Sequence, residues 1–315
     1  MTTYLKQATF ATLLCAAAAS QAQATSDVRK LAPFHAIELS GPYKVVITAQ
    51  GTQALELSGQ RKELERIETI VKGDTLIVRP RSRTGFNISF GDDERTTITI
   101  AAPGLRSLAN AGSADVSLSQ VEGEQFALNL SGSGDVDVYQ LKTGKLQLTM
   151  KGSGDVHLAG AARTLQVDAH GSGELEACGL AVERSSAVLR GSGEACVPGG
   201  TGQFHGEVHG SGELTVRQLR ADKARLVVTG SGEIQIDGTV GSLSAELNGS
   251  GSVEGENLEA QQASVTVRGS GTAEVRVKPT AAASATGALR PQRRQHDAQL
   301  SAPAGKIAGA GIPVA

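Results

Sequence analysis

The sequence contains no tryptophan, and its aromatic residues together make up 3% of 315 positions. Rings on which a sugar could stack are therefore scarce, and any interior must be built from Val, Leu, Ile and Ala. Charge of one sign is lacking as well: 30 basic against 32 acidic residues leave a formal net charge of −2. Nothing in that balance draws the chain to nucleic acid or anionic lipid. No apolar run approaches the ~20 residues that span a bilayer, so no membrane span is expected. The chain also has no room after its repeats for the many alternating strands of a translocating β-barrel. The chain holds only three cysteines, and the first, Cys15, lies in the opening segment.

That segment reads as a secretory leader. Lys6 supplies the positive charge, residues 8–19 the short apolar stretch, and Ala22-Gln23-Ala24 an A-x-A cleavage site. Cys15 follows Leu14 rather than the small residue a lipidation site needs. The chain is thus expected to be exported to the periplasm, outer surface or extracellular space of a bacterium, with Thr25 as its mature start.

What the sequence has in abundance is Gly-Ser-Gly. The tripeptide centres on Ser133, Ser153, Ser172, Ser192, Ser211, Ser231, Ser250 and Ser270, with a degenerate copy at Ser113. Successive serines lie 19 or 20 residues apart, the mark of one small unit stacked on itself. Counting each serine as position zero, +3 is apolar throughout, from Val136, Val156 and Leu175 to Ala273. Positions +5, −3, −5 and −7 are mostly apolar and the even positions mostly polar, the alternation of strands with one buried face. No unit has room for a helix, and two short strands cannot bury a face alone. The expected fold is therefore all-β: a parallel β-helix, or β-solenoid, with about 20 residues per coil and Gly-Ser-Gly corners. Eight steps at strand spacing give a rod segment of roughly 38 Å. A second, looser corner is expected near +7 to +12.

Glycine suits so tight a corner, and the serine can bond the corner backbone or its stacked neighbours. A catalytic serine is not indicated, because no histidine and carboxylate recur beside it and the nucleophile-elbow pattern is absent. A phosphate or dinucleotide loop would need a helix after its glycines, where strands follow here. The sequence implies no catalytic residue, no cofactor and no metal site.

Four stretches follow: the leader (1–24), degenerate N-terminal coils and cap (25–110), the regular repeats (111–278), and an Ala/Gly/Pro/Arg-rich tail (279–315) expected to lack order. Within the first part, Ser40-Gly41-Pro42 looks like a decayed corner. Residues 62–70 read as a short helix or as a turn and strand, and 81–95 as a polar loop around Phe86 and Phe90. From Pro279 the pattern breaks abruptly, as a diverged or frameshifted end would.

Three surface features stand out. Position +2 forms an acidic ladder, Asp115, Asp135, Asp155, Glu174, Glu194, Glu213 and Glu233, ending in Ser252 and Thr272. Position −2 includes Lys151, His170, Arg190, His209 and Arg268, with which the acids are expected to pair in part across a solvated corner. The stretch Asp135, Asp155, Glu174, Glu194, Glu213, Glu233 is also a candidate stripe for a cation or ligand. His170 and His209 lie two coils apart, about 9.6 Å by strand spacing, too far to share a zinc ion. Cys178 (+6) and Cys196 (+4) both point outward in this register but are offset by two residues. Strand rise and spacing put their Cα atoms about 8 Å apart, beyond disulfide reach, unless a bulge closes the gap in an oxidising compartment.

The run "FHAIELSGPYKVVIT" at 34–48, "GDTLIV" at 73–78 and "SGSGDVDV" at 131–138 give the chain its resemblance to the auto-transporter adhesin, or head GIN domain, family of bacterial secreted proteins. The resemblance covers roughly residues 33–278. It implies an exported β-solenoid and little mechanism. The expected function is a non-catalytic, adhesin-like module for an envelope or extracellular protein or glycan, with homo-oligomerisation open. The alternatives are a polysaccharide lyase or hydrolase on the same fold, and a self-associating structural envelope protein.

Overall fold

The computed structural model describes residues 25–81, 96–278, 283–285 and 306–308. The expected leader, Cys15, residues 82–95 and most of the tail lie outside the described residues. Within them the chain is a β-solenoid of about nine turns, its coils roughly 20 residues apart and stacked in parallel.

The stacking is residue on residue. Val136–Gly152 pairs in parallel with Val156–Gly171, for example Leu146 with Leu165 and Met150 with Ala169. Glu213–Gly230, Glu233–Gly249 and Ser252–Gly269 continue the same register. The expected buried columns are the buried columns: Val136, Val156, Leu175, Ala195, Leu214, Ile234, Val253 and Ala273 at +3 are all within 4% of full burial. Each large apolar side chain so buried contributes about 1.5–3 kcal/mol, and together they form one continuous core. A one-residue slip would expose the whole set.

At the first corner the backbone of one coil sits directly on the next. The serine N–H donates to the preceding glycine carbonyl one coil below, from Ser172 to Gly152 at 3.0 Å through Ser270 to Gly249 at 2.9 Å. A Cβ at Gly152 would lie 2.2 Å from the Gly132 oxygen, and Gly152 itself has φ +138°. Only glycine fits there. The serine side chains behave otherwise than expected. All eight are exposed, and none of their hydroxyls has a hydrogen-bond partner among the described residues. The backbone ladder already satisfies the corner, so the hydroxyls point to solvent.

In five coils the second corner is tighter than expected and falls at a single residue, +7; the coils from Ser172 and Ser192 keep a looser turn, at 177–180 and 199–202. Gln120, Gln140 and Gln218 occupy it with φ of 60°, 55° and 57°, Gly160 and Gly238 with φ of 141° and 120°. One left-handed residue turns the chain without a loop, which is why strands such as Val136–Gly152 run from corner to corner. Coil length tracks this residue in six of the eight coils; the exceptions are the 20-residue coils starting at Ser172, with Gly179 at +7, and at Ser250, with Asn257 there. Coils of 19 residues, starting at Ser153, Ser192 and Ser231, carry glycine at +7 (Gly160, Gly199, Gly238). The 20-residue coils starting at Ser113, Ser133 and Ser211 carry glutamine there. Leu141 at +8 pairs with Gly160 at +7, so the glutamine is the extra residue.

The N-terminal part builds the base of the stack. Ala36–Leu39 and Lys44–Thr48 flank the Ser40-Gly41-Pro42 corner and pair with Ser107–Asn110 and Asp115–Ser119 above. They pair with Thr75–Pro80 and Thr97–Ala101 below. Antiparallel strands Ala54–Gly59 and Ile67–Lys72 then close that lowest coil. Residues 62–70 supply both expected forms, one turn of helix at Arg61–Leu64 and then the strand from Ile67. Asn110 stands at −3, where the later coils carry apolar residues; fully buried, it donates to the Ala114 carbonyl at 2.7 Å and so closes the degenerate Ser113 corner. At the other end, Ala283–Ala285 pairs in parallel with the Ser252–Gly269 strand, and Lys306–Ala308 runs antiparallel to Thr272–Val277.

The two cysteines depart from their expected separation. Cys178 and Cys196 form a disulfide with Cα atoms 5.2 Å apart. The strand Glu174–Glu176 keeps register, placing Glu176 opposite Cys196. The chain then leaves strand geometry, with Leu180 N–H donating to the Ala177 carbonyl at 2.9 Å. That turn, rather than continued strand rise, brings Cys178 back over Cys196.

Candidate functional site

The acidic ladder is a true column. Glu174, Glu194, Glu213 and Glu233 are register partners in succession, followed by Ser252 and Thr272. Asp135 and Asp155 continue it downward and act on the backbone. Asp135 Oδ1 accepts from the Asp155 N–H at 3.0 Å, and Asp155 Oδ1 from the Glu174 N–H at 2.8 Å. The shorter aspartate side chain reaches the next coil's amide, which ties adjacent corners together. Higher up, Gln235 Nε2 donates to Glu233 at 2.9 Å and Thr215 Oγ1 to Glu213 at 3.4 Å.

From Asp135 to Glu233, the expected pairing of the ladder acids with the −2 bases does not occur among the described residues. His170, Arg190, His209 and Arg268 turn instead to acids at −4, while Lys151 pairs with no acid among the described residues. Arg190 and His170 converge on Asp168 Oδ1 at 2.7 and 3.0 Å. Arg268 reaches Glu246 Oε1 at 2.6 Å. His205 and His209 each approach one oxygen of Glu207, at 2.8 and 3.1 Å. The physical reason is direction: −2 and −4 leave the same face of one straight strand about 7 Å apart, whereas the corner aims +2 away from them. Hydrogen bonding from His209, more than that from His205, holds the Glu207 carboxyl below the usual carboxylate range, against a partial opposing effect of burial. His170 and His209 thus belong to separate ion-pair clusters.

The −4 acids went unremarked in the sequence, although a signal was present. Asp168, Glu207 and Glu246 are 39 residues apart, one 19-residue coil plus one 20-residue coil. The solenoid repeats its surface chemistry every two coils.

A group with metal-ligand character surrounds the disulfide, where a Glu176 oxygen and the sulfurs of Cys178 and Cys196 lie within 4.8 Å of one another. Joined to each other, the sulfurs cannot act as thiolates, so the oxidised chain offers one carboxylate there. Near the top of the stack, Glu233, followed by burial and the charges of Glu256 and Glu274, raises the Glu254 pKa. Like charges at strand spacing repel.

No described helix is long and apolar enough to cross a membrane. The family model "Putative auto-transporter adhesin, head GIN domain" matches residues 33–200 and 199–288. No curated protein matches the chain. Among solved structures, a "putative adhesin" from Bacteroides fragilis is similar, 22% identical over 75% of this chain and 98% of its own, with a TM-score of 0.59. That likeness is one of fold. A second "putative adhesin", from Parabacteroides distasonis, is 16% identical over 81% of this chain and 96% of its own, with a TM-score of 0.48. A "putative lipid binding protein" from the same species is 18% identical over 84% and 97%, with a TM-score of 0.45.

Proposed function

The chain belongs to the auto-transporter adhesin, head GIN domain family, and from that premise we propose that it is a non-catalytic, exported β-solenoid that acts as an interaction module for a protein or glycan of the bacterial envelope or its surroundings. The observation that carries this reading is the register. Because coils stack residue on residue, each outward position recurs at about 4.8 Å along the rod. A partner with its own repeat can meet many weak contacts at once, and their effects multiply. The family's adhesin description supports a binding role rather than catalysis, and the leader-like residues 1–24 support export.

The ladder from Asp135 to Glu233 is the proposed contact stripe. Its middle members, Glu174 and Glu194, have no side-chain partner among the described residues, so their carboxylates face solvent uncommitted. The test is capture of envelope and extracellular polymer fractions by tagged protein lacking residues 1–24. A twin with Asp135, Asp155, Glu174, Glu194, Glu213 and Glu233 changed to Asn or Gln runs beside it. Saturable capture lost in the twin places the contact on the ladder. Capture by both moves the contact to another face, and capture by neither contradicts the module.

A further inference from the structure

One outer face of the stack carries a groove of about 520 Å³, bordered by residues from 164 to 244. Its lining comes from five successive coils, so it runs parallel to the rod axis for about 19 Å at strand spacing. An extended chain fits such a trough better than a compact ligand does. The groove follows column −8 from Thr164 to Ser242, in which Thr164 and Arg184 are register partners, as are Gln203, Lys223 and Ser242; Lys145, the partner of Thr164, continues the column one coil beyond the lining.

The column alternates. Lys145, Arg184 and Lys223 lie 39 residues apart, with Thr164 and Gln203 between them and Ser242 one coil beyond Lys223. A cation therefore recurs every second coil, about 9.6 Å apart, and a neutral hydrogen-bonding side chain stands midway. The three cations have no ion pair or side-chain hydrogen bond among the described residues, unlike His170, Arg190, His209 and Arg268 at −2. A further lining cation, Arg225, is partly engaged, standing 3.8 Å from Glu246. The floor is apolar, with Phe204 only 2% exposed.

We propose that this groove binds a linear anionic polysaccharide lying along the solenoid axis, with its acid groups on Arg184 and Lys223 and, one coil beyond the lining, on Lys145, and its hydroxyls on Thr164, Gln203 and Ser242. The inference rests on the interaction-module reading and names its ligand and a face separate from the acidic ladder. Alternating cation and neutral hydrogen-bonding positions match a polymer that carries both acid groups and hydroxyls. Nucleic acid fits less well, since single strands are held by stacking on exposed rings, and the one ring of the groove floor is buried. A membrane surface fits less well because a narrow trough cannot meet a plane.

The probes are immobilised polygalacturonate for a carboxylate source, dextran sulfate for a sulfate source, neutral dextran, and oligo-thymidine. Full-length processed protein should be retained by one or both acidic saccharides at low salt, less at high salt, and not by dextran. The source that retains it more tightly identifies the acid group. Arg184→Glu with Lys223→Glu should weaken retention by about tenfold or more. Lys44→Glu with Lys62→Glu, which changes net charge equally on exposed sites elsewhere, should change it little. Unaltered retention in the groove variant, equal loss in the control pair, or tighter retention on oligo-thymidine overturns the assignment. So does an absence of retention on both acidic saccharides. If envelope fractions still capture the protein in that last case, only the groove assignment falls. Loss of all capture removes the module reading too.

Discussion

At the residue scale, the fold depends on a few backbone positions that no side chain can occupy. Gly238 combines φ +120° with a would-be Cβ 2.1 Å from the Leu219 carbonyl oxygen. Gly238→Ala is expected to lower stability by about 1–3 kcal/mol, read as a lower urea midpoint. Gln218→Gly, at the same corner of the coil below, should stay within about 1 kcal/mol of the parent, because relief of left-handed strain and added unfolded-chain freedom oppose each other. Two glutamates predict opposite responses to acid. The Glu207 pKa is lowered in the fold. Its stabilising share is therefore present above the ordinary value of 4.5 and is lost as pH falls through the folded value. The Glu254 pKa is raised, so its destabilising share is present above the folded value and is relieved as pH falls through it toward 4.5. Glu254→Gln should then add about 0.5 kcal/mol at neutral pH and nothing below pH ~4. Stability curves of parent and variant that stay parallel across that range would count against this assignment.

At the level of the element, the coil and its first corner were legible in the sequence because they repeat. Eight serines in phase and an apolar +3 column leave one register open. The second corner was less legible, since in five coils its turn rests on a single residue that is glutamine in some and glycine in others. Where +7 is glutamine, the extra residue accounts for the 20-residue spacing; the 20-residue coils with Gly179 and Asn257 there fall outside that rule. The cysteine separation was overestimated because strand rise was extended past Glu176, where the chain turns at 177–180. It closes a segment between positions 18 residues apart, and by chain entropy its removal is expected to cost about 2–4 kcal/mol. Cys178→Ser with Cys196→Ser, compared with the reduced parent, checks this: both should unfold at similarly lowered urea concentration. A reduced parent as stable as the oxidised one would contradict it. The acid–base pairing was misassigned for a directional reason that sequence position alone conceals: −2 and −4 share a strand face, whereas +2 lies beyond a bend.

For the whole molecule, a straight stack of near-identical coils converts single side chains into columns. One column is acidic and partly fastened to the backbone, and another alternates cations with neutral donors and acceptors every two coils. Such a rod is suited to holding a repetitive partner. The measurement that tests this most directly uses one sample and two readouts: the protein is incubated with envelope-derived polymer, and both its retention and the polymer's chain length are followed over time. The account predicts saturable retention with the polymer length unchanged. Shortening of the polymer would contradict it and identify the solenoid as an enzyme.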